Sequence, residues 1–253
     1  MPDETIYEIR LKEVLDSKWS AAFAPLALTA CCNETLLTGP IRDQSELYGL
    51  VLKIRDRGLQ LVSIKPSHKP CCLSPFPELT TERLHLREFN LRDAQAVFEI
   101  LGREDVNEWL ETDTLKSIKE AEARIQSRMN LFKDGLGLRW AITLKENPSR
   151  VIGSCGYFSL RRGTQTVEIG FELHPDYWRR GMMSEAMQAI LQYSFSAQAL
   201  IPVHRIEAIV IPSNIPSCRI LHKLGFEREG VRREFGFWKG RYQDVYLYAR
   251  LNT

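Results

Sequence analysis

Residues 166–186 read TVEIGFELHPDYWRRGMMSEA. Val167, Ile169, Phe171 and Leu173 alternate with Glu168, Gly170 and Glu172, the period of two that marks a strand, and Pro175 closes it. From Ala186 onward, Met187, Ile190, Leu191 and Phe195 define one face of a helix without internal Pro or Gly. Between the two lie Arg179, Arg180 and Gly181. A helix N-terminus already carries about half a positive charge on bare amides and prefers Asp or Glu in its first turn, so arginines there call for a negative ligand. A strand, a glycine-containing loop and a helix N-terminus together form an anion cradle. Gly181 admits close backbone approach, the amides of Arg180, Gly181, Met182, Met183 and Ser184 point along the helix axis, and a pyrophosphate suits the charge. Taken alone, the loop also reads as a solvated arginine pair.

Working outward, the chain has 253 residues, 44% apolar and 26% charged, enough for one large or two smaller globular domains. Its 34 basic and 32 acidic residues leave a net charge of +2, which gives no chain-wide electrostatic footprint for nucleic acid. No apolar run reaches the length of a membrane span, and the start MPDETIYEIRLKE lacks the basic and apolar regions of a signal peptide. A cytoplasmic protein with neither nucleic-acid nor membrane partner is expected. The six cysteines are Cys31, Cys32, Cys71, Cys72, Cys155 and Cys218. Neither adjacent pair has the two-residue gap that suits a shared metal, so free thiols and no metal are expected; zinc, or a bridge between the two pairs, is the alternative.

Residues 65–78, KPSHKPCCLSPFPE, hold four prolines and no hydrophobic period, and read as a linker between a module at 5–64 and a domain at 79–253. In the module, YEIRLKEVL alternates as a strand, and LALTACC and TLLTGP form a hairpin turning at Asn33-Glu34. Asp43 with Glu46 is a capping-box-like start for a helix bearing Leu47, Leu50, Val51 and Ile54, which Gly58 stops. The strand LQLVSI follows. With Trp19 to Phe23 as a helical turn, the order is βαββαβ, the ferredoxin-like pattern. An isolated unit of ~60 residues has a thin core and open sheet edges, so it is expected to pack on the C-terminal domain or to form a homodimer.

In the C-terminal part, ERLHLREF is a strand, Asn90 begins one helix, and Ser117 with Glu120 forms a capping box for another. RWAITLK, RVIGSCGYFSL and TVEIGFEL read as an antiparallel meander. After the arginine-led helix come the strand HRIEAIVIP, the helix SCRILHKL stopped by Gly225, and strands ending in DVYLYARL. The whole is an α+β domain.

Four stretches, ERLHLREF, EIGFELHPDYWRRGMMSEA, NIPSCRILHKLGFEREG and GRYQDVYLYAR, occur in the order seen in the GNAT superfamily of acyl-CoA-dependent N-acyltransferases, and residues 79–251 resemble its ribosomal-protein alanine N-acetyltransferase branch. The module, with its TLLTGP and KIRD runs, is similar to a small bacterial domain of unknown function. The resemblance implies a mixed, mostly antiparallel sheet with a splayed central strand pair. Acetyl-CoA would lie between the strands ending near Leu173 and Ile211, its pantetheine amides paired with backbone from Glu172 through Leu173 to His174. The family's pyrophosphate loop places Arg180, Gly181 and Met183 at the end of its pattern, and Arg179 stands where this branch commonly has glycine; Met183 departs from a small residue. Asn214 matches an asparagine that bonds to the cofactor arm; an Asx turn after Pro212 is the plainer reading.

The implied reaction is direct attack of a neutral amine on the thioester, with no covalent enzyme intermediate. The family's usual proton donor, a tyrosine seven residues after the asparagine, is Leu221 here. Ser217 matches the branch's serine and is either the proton donor to the thiolate or the N-cap of SCRILHKL. Strand alternation puts Glu168 and Glu172 on one face, expected to be open to substrate, with Glu168 the first choice for a base acting through water and Glu172 the second. Cys155 has no histidine within readable spacing; Cys218 and His222 read as packing and surface residues. The acceptor is expected to be a protein or peptide α-amine, because such an amine near pKa 8 is neutral at pH 7 roughly two hundredfold more often than a lysine. The alternatives are a small-molecule amine, or a non-catalytic acyl-CoA-responsive protein.

Overall fold

The computed structural model describes residues 5–31, 34–67 and 75–252. Asn33 of the expected hairpin turn, residues 68–74 of the expected linker, and Cys32, Cys71 and Cys72 lie outside them. The chain divides into two compact units, Met1–Cys71 and Cys72–Thr253.

The first unit contains β1 (Thr5–Leu11), α1 (Ser20–Phe23), β2 (Ala27–Cys31), β3 (Glu34–Ile41), α2 (Gln44–Asp56) and β4 (Leu61–Ser67). Its sheet runs β2-β3-β1-β4, with every neighbouring pair antiparallel, the ferredoxin-like order. Alternation along β3 buries Thr35, Leu37, Gly39 and Ile41. Leu37 and Ile41 join Ile9, Leu11, Phe23 and Ile54 in one core. The start of α2 is fixed locally: Asp43 accepts from the amide of Glu46 at 2.8 Å, and Glu46 accepts from the amide of Arg42 at 2.7 Å.

The second unit comprises β5 (Leu79–Thr80), β6 (Leu84–Arg87), α3 (Ala94–Leu101), α4 (Glu104–Asn107), α5 (Ile118–Lys133), β7 (Leu138–Leu144), β8 (Asn147–Arg161), β9 (Thr166–Leu173), α6 (Met182–Ser194), β10 (Arg205–Val210), α7 (Ile215–Lys223), β11 (Glu227–Trp238) and β12 (Arg241–Leu251). Its eight-stranded sheet has the order β11-β12-β10-β9-β8-β7-β6-β5. All pairs are antiparallel except β9 with β10. Alternation along the strands sends Trp140, Cys155, Val167 and Ile169 into a core shared with Met183, Met187 and Ile190 of α6 and Leu221 of α7. Ala141 and Val151 meet Val97 and Ile100 of α3 and Ala121 and Ile125 of α5 on the opposite face. Phe76 and Pro77, within the segment expected to be a linker, belong to this unit: Phe76 stacks edge-on against Phe132 and Trp140, and the Trp140 indole donates to the Pro77 carbonyl at 2.6 Å.

Candidate active site

Parallel pairing of β9 with β10 covers Thr166, Val167 and Glu168 against Arg205, Ile206 and Glu207, and then stops. Both strands run on, β9 to Leu173 and β10 to Val210, so the centre of the sheet opens into a V. Val210 keeps its antiparallel partner Tyr246 on β12, and Leu173 keeps Gly153 on β8; each strand is thus held on its outer side only. The His174 amide donates to Ile152 on β8 at 2.8 Å. By the alternation of an antiparallel ladder, Ile169, Phe171 and Leu173 therefore turn their backbone groups toward the gap, while Glu172 and His174 turn theirs to β8. Of the backbone expected to be free from Glu172 to His174, the Leu173 amide remains; the Leu173 carbonyl accepts from the Trp178 indole at 2.7 Å, and the His174 carbonyl from the Tyr177 amide at 3.0 Å.

Beyond β9 the chain turns at Pro175–Tyr177 and enters α6 through two left-handed residues, Arg179 at φ 59° and Gly181 at φ 76°. The glycine usual at the Arg179 position is explained by this torsion, which costs a residue with a Cβ about 1–2 kcal/mol. Met182, Met183 and Ser184 open the helix, where first-turn amides lack an intrahelical acceptor. Neither Arg179 nor Arg180 has a carboxylate partner among the described residues; Arg180 lies over the Tyr177 ring at 5.9 Å. Met183, which stands where the resemblance has a small residue, sends its side chain into the core, 4% exposed. A third arginine was not anticipated. Arg83 donates to the Arg180 carbonyl at 3.1 Å and pairs with Glu185 at 2.6 Å, and Glu185 also accepts from Thr81. Burial would raise the Glu185 carboxyl, but these hydrogen bonds hold it below its ordinary value.

At the end of β10, Asn214 caps α7: its side chain accepts from the Ser217 amide at 3.2 Å. The cap is therefore Asn214 and not Ser217, which lies in the first turn; its hydroxyl has no hydrogen-bond partner among the described residues. Pro216 carried the signal, since proline favours the first helical turn and places the cap upstream. Leu221 is fully buried. A pocket of about 310 Å³ beside this helix is lined by Ile215, Cys218, Arg219, His222, Lys223 and Tyr248. Cys155 is fully buried, and burial pushes its thiol up to about 12, which disfavours a nucleophilic thiolate.

Glu168 and Glu172 share the sheet face toward α3 and α5, but only one is open. Glu172, expected beside substrate, is 8% exposed. Arg128 of α5 donates to it at 2.8 Å, and Arg139 of β7 and Ser154 of β8 bond to it as well. Burial alone would raise its pKa; the charges of Arg139 and Arg128 and the serine hydroxyl outweigh burial and leave it lowered. A carboxylate so held is a poor proton acceptor. Glu168 is half-buried, and desolvation, reinforced by Glu111 and Glu207, raises its pKa. That is the direction a base near neutral pH needs. Glu111, in the segment between α4 and α5, was not anticipated; it belongs to no periodic element.

A family model described as an acetyltransferase (GNAT) domain matches residues 83–227, and one described as a domain of unknown function matches residues 6–65. The chain is 34% identical over 174 residues to the uncharacterized N-acetyltransferase YoaA of Bacillus subtilis, covering 69% of this chain and 96% of that protein. It is 26% identical over 180 residues to the ribosomal protein uS5-alanine N-acetyltransferase of Escherichia coli, covering 69% and 91%. Among solved structures, a GNAT-family acetyltransferase from Bacillus anthracis superposes with a TM-score of 0.61 at 28% identity, over 70% of this chain and 99% of that one. The split β9–β10 pair, the glycine-led α6 and these matches converge: the chain belongs to the GNAT acetyltransferase family and is an N-acetyltransferase.

Proposed function

We propose that the chain transfers an acetyl group from acetyl-CoA to a protein or peptide α-amine in a ternary complex. The observation that carries this reading is the β9–β10 ladder, which ends after Glu168 and Glu207 while both strands continue. An extended amide-bearing arm fits such a gap, with the Leu173 amide as donor. The pyrophosphate fits the first amides of α6, flanked by Arg179, Arg180 and the close backbone at Gly181. Asn214 uses its carbonyl as the helix cap, which leaves its amide nitrogen to donate to the cosubstrate.

In the reaction, the amine nitrogen forms a bond to the acetyl carbon and the carbon–sulfur bond breaks. Glu168 takes the amine proton through a water, helped by a raised pKa, and Ser217 passes a proton to the departing thiolate while taking one from solvent water in its place. Glu172 holds β9 in place through Arg128 and Arg139, a positioning role. The E. coli relative's name, an alanine N-acetyltransferase, supports an α-amine acceptor.

The test is acetyl transfer from acetyl-CoA to matched peptides bearing a free N-terminus, a blocked N-terminus with lysine, or small polyamines, with mass spectrometry locating the acetyl group. Modification of the α-amine is expected. Acetyl confined to lysine side chains would overturn the acceptor, and absence of thiol release with every amine would overturn the reaction.

A further inference from the structure

The first unit has two sheet edges, and the sequence treats them differently. β4 ends the sheet on one side. Its pairing with β1 shifts register between Arg10 and Leu11, and it carries Lys65 and Pro66; a bulge, a lysine and a proline are devices that keep an edge from recruiting another strand. β2 ends the other side, with β3 as its one strand neighbour among the described residues. It reads ALTAC, without charge or proline, and pairs with β3 residue for residue from Ala27 with Thr38 to Cys31 with Glu34. Alternate residues of an edge strand turn their N–H and C=O groups away from the neighbouring strand, so β2 presents an open and regular template.

The register adds an apolar row at this edge. Leu28 and Ala30 stand opposite Leu37 and Thr35, both in the buried row of β3, and Leu28 packs on the core of the unit. That core is thin: Ile54 alone is buried in the 13-residue α2, and a unit of ~60 residues has much to gain from an added face. The edges of the large sheet are poor partners for such a template, because β5 is two residues long and the pairing of β11 shifts register twice. With β4 blunted, a head-to-tail contact of β4 with β2 is disfavoured too. The arrangement left is a closed twofold in which β2 meets its own copy. Antiparallel about Thr29, Leu28 comes opposite the partner's Ala30 and Ala27 opposite the partner's Cys31, with no like charges set against each other.

We infer that β2 docks β2 of a second copy of the chain, antiparallel about a twofold at Thr29, so that two four-stranded sheets join into one of eight strands. Backbone hydrogen bonds supply the ladder, and the row of Leu28 and Ala30 continues the core across it. The acetyltransferase unit is thereby carried in pairs, whichever amine it modifies.

The test uses the full chain in multi-angle light scattering, with circular dichroism to verify folding. The native chain should have the mass of two chains and dissociate on dilution. Thr29→Lys and Thr29→Glu each set like charges opposite one another at the twofold and should raise the dissociation constant about tenfold or more. Mixing the two variants should restore the dimer, since a lysine then faces a glutamate. A native chain that is monomeric at every concentration would overturn the inference; so would folded variants that dimerise like the native chain, or a mass that grows past two chains, the mark of a head-to-tail contact. Hydrogen exchange on the native chain gives a reading without substitution. Amides within Ala27–Cys31 should lose protection as the dimer dissociates, while those of β4 hold theirs. Loss at β4 with none at β2 would assign the contact to the other edge and overturn the inference.

Discussion

Arg128 donates to Glu172 across 2.8 Å, joining α5 to β9 at a point where both side chains are almost fully buried. With Arg139 on the same carboxylate, two cations depend on one anion. Glu172→Gln would leave both guanidinium groups in a dry interior, a loss of about 3–5 kcal/mol. Thermal or urea denaturation should register it. The carboxyl's pKa is lowered on folding, so its stabilisation is present above the ordinary glutamate pKa and is lost as pH falls through the depressed folded value. A native-like acid limb in the variant would contradict this assignment.

Glu168→Gln is expected to divide stability from turnover. Desolvation raises the Glu168 pKa, so its charged form is disfavoured by the fold; the neutral amide should raise Tm slightly. Turnover should fall about a hundredfold if Glu168 is the base. In the native enzyme, kcat/KM should rise with pH through a pKa above the usual glutamate range, and this limb should vanish in the variant. A persisting limb would assign the base elsewhere.

Arg179→Gly should relieve the left-handed backbone and stabilise the free protein by about 1 kcal/mol. Removing a cation from the cradle should nonetheless weaken CoA binding. Calorimetry and melting curves together decide: unchanged CoA affinity would remove Arg179 from the pyrophosphate site.

Ser217→Ala tests proton donation without disturbing the helix cap, which Asn214 provides. Turnover should fall with CoA affinity and Tm nearly unchanged. Asn214→Ala should instead lower stability by ~1 kcal/mol through the lost cap and weaken CoA binding as well. A Ser217→Ala enzyme with native turnover would leave the thiolate to take its proton from solvent.

Legibility in the sequence followed the range of the interaction. Asp43 with Glu46 and Ser117 with Glu120 are neighbours along the chain, and both helix starts lie where those pairs place them. Strand alternation correctly put Glu168 and Glu172 on one face. It carried no information about what covers that face: Arg128, which closes over Glu172, is 44 residues away, and Arg83 is 102 residues from Glu185. The four-residue α4 is too short for a period to emerge. Ser217 and Asn214 are both good caps, and the proline between them decides which one is used.

The seam at the centre of the large sheet also bears on how this enzyme breathes. Only three residue pairs stitch β9 to β10, so the C-terminal ends of these strands should be the least protected backbone in an otherwise continuous eight-stranded sheet. Amide exchange at Phe171 and Leu173, whose N–H groups face the gap, should be rapid in the free protein. A cosubstrate arm would serve as a missing length of strand, slowing that exchange and raising Tm in proportion to the logarithm of its concentration. Thermal resistance would then report the cell's acyl-donor supply.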